Sequence, residues 1–121
     1  MLDYSIMKPE GILVLKVHAA LGEQDFSALG AAVDAYLSDH PKLHGVLIHA
    51  KTFPGWESMA GFGAHLDFIR ARYKKVERVA LVTDSHMADV AQTLAPYLSA
   101  AKVRHFAFSQ DAKALDWLQS D

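Results

Sequence analysis

The sequence contains no cysteine. That absence excludes disulfides, thiolate zinc sites, iron–sulfur clusters and cysteine nucleophiles together. It also lacks any apolar run approaching the ~20 residues that span a bilayer; its longest ones are strand-sized. Excess positive charge is missing too, with 12 Lys and Arg against 14 Asp and Glu, a net charge of −2 and a pI of about 6.4. A dedicated nucleic-acid binder needs a basic face to displace counterions from phosphates, so no nucleic-acid partner is expected, although a local basic patch is compatible with this balance. Residues 1–8 show no basic region leading into an apolar core, so no signal peptide is expected and the cytoplasm is the expected compartment. There is no repeat, low-complexity tract or linker.

What the chain does have is the composition of an ordinary globular protein, 51% hydrophobic and 21% charged. Its 121 residues fit one domain, 1–121, able to bury about two thirds of its unfolded surface. Residues 2–7 read as a short strand. Lys8-Pro9-Glu10-Gly11 is a turn, with Pro presetting φ and Gly free to take φ > 0. Residues 12–17 form the next strand, and the short link makes the pair an antiparallel hairpin.

From Asp25, a plausible N-cap, the period becomes helical, with Phe26, Leu29, Val33 and Leu37 on one stripe and Pro41 past the end. Val46-Leu47-Ile48 is a buried-type strand entered through Gly45. A loop containing Phe53-Pro54-Gly55-Trp56 leads into a second helix over about 57–73, striped by Met59, Phe62, Leu66, Ile69 and Tyr73. A strand at 79–82 follows, then a third helix carrying Met87, Val90, Leu94 and Leu98, kinked where Pro96 removes a hydrogen bond. A strand at 103–108 precedes a last helix, capped by Ser109, that buries Leu115 and Leu118. The order β-β-α-β-α-β-α-β-α predicts an α/β fold. Its sheet is five-stranded, mixed and mostly parallel, with about four helices and an antiparallel edge strand. Near-continuous apolar strands imply burial on both faces. Strand order does not follow from these signals.

Ligands of a parallel sheet favour the rim at the carboxyl ends of its strands. That rim collects His18, the loop from His49 to Trp56, Asp84-Ser85-His86, and Ser109. Asp84, Ser85 and His86 cannot form a triad, because consecutive residues at a helix start point in different directions. Capping by Asp84 or Ser85 explains them better. The seven histidines (18, 40, 44, 49, 65, 86 and 105) include no His-x-His pair. His40 and His44 straddle Pro41, and only His18 and His49 could converge at the rim, so no metal and no cofactor are expected. Gly61-Phe62-Gly63 falls within the second helix, where a phosphate loop does not belong; the glycines suit close packing or local plasticity. Arg70, Arg72, Lys74, Lys75 and Arg78 form the basic cluster, read first as a solvated helix end whose cations complement the helix dipole and second as a phosphate or lipid-headgroup site. Gly61, His65 and Phe68 make a second face on that helix. With Phe53 and Trp56 they offer more aromatic surface than one small core needs, which suggests an apolar groove or partner surface.

The chain resembles the SpoIIAA-like family. The resemblance rests on the element order, on Phe53-Pro54-Gly55-Trp56-Glu57, on Glu77 through Asp84, and on Val103-Arg104-His105-Phe106 with Ala114-Leu115-Asp116-Trp117-Leu118. It implies a fold related to STAS domains that also resembles the lipid-binding CRAL-TRIO domains. STAS antagonists of anti-sigma factors carry a phosphorylatable Asp-Ser-x-Gly motif at the start of the helix after the third strand. This chain has Thr52-Phe53-Pro54-Gly55-Trp56-Glu57-Ser58 there, without an Asp-Ser pair. The expected function is a non-enzymatic binding or regulatory module. Its ligand site would be Phe53, Trp56, Phe62, His65, Phe68 and Leu94, taking a small apolar molecule, a lipid or a partner protein, with at most peripheral membrane contact. The alternatives are a pure protein–protein module, a homodimer or an anti-sigma-antagonist-like protein, and an enzyme using the rim histidines.

Overall fold

The computed structural model describes residues 2–7, 10–18, 22–51, 75–84 and 102–120. Strands β1 (Leu2–Met7) and β2 (Ile12–Val17) form the antiparallel hairpin that the turn signal predicts. Gly11 occupies the turn with φ +69°, in the left-handed region that side-chain-bearing residues avoid. Its N–H donates to the Met7 carbonyl at 2.8 Å, closing the hairpin. Its own carbonyl accepts the N–H groups of His44 and Gly45, so the turn is also tied to the next strand.

Strands β3 (Leu43–His49), β4 (Val76–Val82) and β5 (Lys102–Phe106) complete a five-stranded sheet in the order β1-β2-β3-β4-β5. Every pairing after the hairpin is parallel. Helix-length connections cannot reverse a strand within a two-residue turn, which is why the sequence order already implies parallel neighbours. The strands run longer than their apolar cores suggest. β3 starts two residues before Gly45, and β4 starts at Val76, because backbone pairing continues through polar residues such as His44 and Glu77. β5 ends at Phe106 rather than 108, since Phe108–Gln110 turns into a short 3₁₀ segment.

Helix α1 (Glu23–Asp39) begins earlier than the stripe implies. Gly22, not Asp25, is the N-cap, and the Asp25 carboxylate reaches back to accept the Gly22 N–H at 2.9 Å. A carboxylate in the first turn satisfies an orphan donor and complements the helix dipole whether or not it is the cap. At the other end, His40 stacks flat on Tyr36 at 4.1 Å, and its Nδ1 meets the Tyr36 carbonyl. α1 buries Phe26, Leu29, Val33 and Tyr36. Leu29, Val33 and Tyr36 pack on the sheet face made by Leu13, Leu15, Val46, Val79 and Leu81.

The opposite face presents Ile12, Leu47, Ala80, Val82 and Phe106 to the C-terminal helix α2 (Asp111–Gln119). Both faces are thus covered, as the continuous apolar strands require. Ser109 lies in the 3₁₀ segment and Gln110 is the N-cap of α2, so the cap falls one residue beyond the expected serine. Ala114 and Leu118 are the fully buried positions of α2, with Leu115 half-buried beside them.

α2 carries no basic residue in its last turn. Arg78, on β4, supplies one from a distance: its Nη1 donates to the Trp117 carbonyl at 2.7 Å and to the Ser120 carbonyl at 2.9 Å. The Ser120 hydroxyl, 2.7 Å away, is a third contact. Arg78 therefore caps a helix some 40 positions further along the chain, a role unrelated to the solvated helix end expected of the basic cluster. Arg70, Arg72 and Lys74 lie outside the described residues. Replacing Arg78 with Met should lower unfolding free energy by about 1–2 kcal/mol through the lost charge-assisted bonds, with Lys restoring only part because it lacks the planar fork. Urea unfolding midpoints would measure this, and an unchanged Arg78→Met midpoint would contradict the capping role.

Candidate functional site

The carboxyl ends of β2 to β5 lie along one rim of the sheet, with His18, His49, Asp84 and Phe108 at or just beyond them. A dense set of bonds holds this rim. The Ala50 N–H donates to the Val82 carbonyl, the Thr83 N–H to Phe106, and the Asp84 N–H to Lys51. Thr83 is buried, and its hydroxyl donates to the Lys51 carbonyl at 3.2 Å. The Asp84 carboxylate accepts the Phe108 N–H at 3.1 Å, tying the exit of β4 to that of β5. Asp84 thus binds backbone beyond another strand, and the helix start expected beside it lies outside the described residues.

His49 lies flat on the Phe108 ring, with centroids 4.2 Å apart and planes within 2°. Its Nε2 also faces the Phe108 carbonyl, at 3.4 Å. Strand alternation places His49 on the α2 face, level with Val82, while His105 sits level with Leu81 on the other face. His105 donates through Nε2 to the Thr83 carbonyl at 2.7 Å. His18 pairs with Asp3 of the edge strand at 2.8 Å, both groups exposed. His44 meets Glu77 at 3.1 Å at the opposite end of the sheet. Each of the five described histidines directs one ring nitrogen at an oxygen of the chain, in a different place. His18 and His49 have separate partners, and among the described residues no three metal-binding side chains gather. His65 and His86 lie outside the described residues.

The expected ligand residues Phe53, Trp56, Phe62, His65, Phe68 and Leu94 also lie outside the described residues, as do Thr52, Ser58, Gly61, Gly63 and Pro96. What the structure does place is their point of departure. The chain leaves β3, the central strand, through buried Ala50 and exposed Lys51, in the middle of the rim. The His49–Phe108 stack stands at the same rim and was not foreseen as an aromatic feature. Only its parts were visible, a histidine closing one strand and a phenylalanine closing another, 59 positions apart.

A crystal structure of an uncharacterised protein of the DUF3478 family with a SpoIIAA-like fold, from Shewanella loihica PV-4, superposes with a TM-score of 0.74 over 97% of this chain and 93% of that one. At 20% identity the likeness is one of fold. No curated protein matches the sequence. The SpoIIAA-like family model matches residues 12–119, from the first residue of β2 to the last of α2. That span takes in four of the five strands of the sheet and the described helices α1 and α2, and the chain belongs to the SpoIIAA-like family.

Proposed function

We propose that the protein is a non-enzymatic binding or regulatory module. Its working surface is the aromatic segment that leaves the rim after Lys51, and its ligand is a small apolar molecule or lipid. The observation that carries this reading is the state of the rim itself. Thr83, Asp84, His49 and His105 direct their polar atoms at backbone groups of neighbouring strand ends. These bonds brace loops; they do not pair a nucleophile with a base, which would have to meet side chain to side chain. The half-buried His49–Phe108 stack gives the described rim a flat aromatic surface at the strand end from which the chain leaves toward Lys51. Apolar walls with a few fixed polar groups are the make-up of small-molecule sites.

The test uses the Trp117→Phe protein, in which Trp56 is the remaining indole. Adding neutral phosphatidylcholine vesicles or a long-chain alcohol should shift Trp56 emission to the blue and saturate. Native mass spectrometry of the untreated protein should show a retained small molecule. A dimer mass with no ligand, together with an unresponsive Trp56, would favour the protein–protein module instead.

A further inference from the structure

We propose a second site, for a phosphate group, on the α2 face of β4 and β5, away from the rim. Lys102 stands directly opposite Arg78 in the β4–β5 register, and Arg104 is the next residue along on the same face, opposite Ala80. Like charges directly opposite on neighbouring strands destabilise a sheet. Arg78 is met by the carbonyls at the end of α2, but no carboxylate among the described residues answers the pair: Asp111 and Asp116 of α2 form no ion pair with Arg78, Lys102 or Arg104. Three cations that pair with no acid among the described residues, in a chain of net charge −2, leave a place that an anion completes.

Two rings hold the key guanidinium in position. The Arg104 guanidinium carbon lies 5.0 Å from the Phe106 ring centroid and 6.0 Å from that of Trp117. Arg78 lies 5.5 Å from the same indole. Cation–π contact orients both groups without using their N–H donors. Arg78 already gives Nη1 to the end of α2, whereas Arg104 makes no described hydrogen bond and is exposed. A planar fork with free donors, backed by aromatic faces and flanked by a lysine, matches the geometry of a phosphate's oxygens. A free phosphorylated molecule and a phospholipid headgroup would both present that group.

Trp117 reports on the site once Trp56 is replaced by Phe. Sodium phosphate should produce a saturating change in Trp117 emission that sodium chloride at matched ionic strength does not. Arg104→Gln should weaken it by about tenfold or more, because the two-pronged charge-assisted contact is lost. Arg104→Lys should recover only part, Lys102→Gln should weaken it less, and Lys42→Gln, an exposed cation at the start of β3, should not change it. Vesicles of phosphatidylglycerol distinguish the source. Sedimentation with them that disappears in Arg104→Gln, alongside a flat phosphate titration, assigns the site to lipid headgroups; a phosphate titration without sedimentation assigns it to free phosphates. Equal responses to phosphate and chloride, with vesicle binding identical in the wild type and Arg104→Gln, would overturn the proposal. Because the rim is followed through Trp56 and this patch through Trp117, either reading can fail without the other.

Discussion

Leu118→Ala is expected to destabilise the protein by about 3 kcal/mol, as buried leucine truncations do when the surroundings cannot collapse into the space. Leu118 is 0% exposed and joins α2 to the face made by Ile12, Leu47, Ala80 and Val82. It sits over Gly45 of β3. A Cβ built on Gly45 would meet the Leu118 Cδ2 at 2.8 Å, its Cβ at 3.3 Å and its Cγ at 3.4 Å. The clash is with the tip of the side chain, which is fully buried and has little room to swing aside, and the Leu118 Cβ must also give by a few tenths of an ångström. Gly45→Ala should therefore cost about 2 kcal/mol through overpacking. The double substitution should cost clearly less than the two together, because the new methyl occupies part of the hole left by Leu118; residues in contact couple in this way. Urea unfolding at constant m-value would give the three numbers. Strict additivity would mean that α2 docks on β3 differently from the arrangement described.

Gly11→Ala is the second large effect, expected at about 2 kcal/mol. Part of it is the left-handed backbone at φ +69°, where a Cβ meets the following carbonyl and costs roughly 1–2 kcal/mol. The rest is steric, since the added methyl would lie 2.9 Å from the Tyr36 hydroxyl oxygen. Tyr36 is 9% exposed and stacked on His40, so its ring has little freedom to withdraw. Measuring Gly11→Ala in the wild type and in Tyr36→Phe separates the two causes. The steric part should shrink without the hydroxyl, and the backbone part should persist. A loss below about 0.5 kcal/mol in both backgrounds, the range of ordinary surface changes, would show that the turn tolerates a side chain.

The candidate site was only partly legible from the residues. That the carboxyl-end rim is the place to look follows from strand direction, and strand direction follows from connection length. The rim's histidines and Asp84 were visible as candidates, but what they do was not. His49 faces a ring 59 positions away, His105 a carbonyl 22 positions away, and Asp84 an N–H 24 positions away. Such partners are set by which strands lie side by side and how far each extends. A sequence that names the strands without their order leaves those pairings open.

The division has a physical cause. Local chemistry is readable because it is local. The hairpin follows from Pro9-Glu10-Gly11, α1 from the spacing of Phe26, Leu29 and Val33, and the buried strands from their unbroken apolar runs. The absence of thiols depends on composition alone. The order β1-β2-β3-β4-β5 depends instead on how the strands neighbour one another in space, which each strand's own pattern does not specify. The same holds for Arg78. Along the chain it belongs with Lys75 in a run of cations, and only the packing of α2 across β4 brings the Trp117 and Ser120 carbonyls to its guanidinium. Gly45 likewise reads as a break before a strand, yet it lies within β3, where tertiary approach leaves no room for a side chain under Leu118.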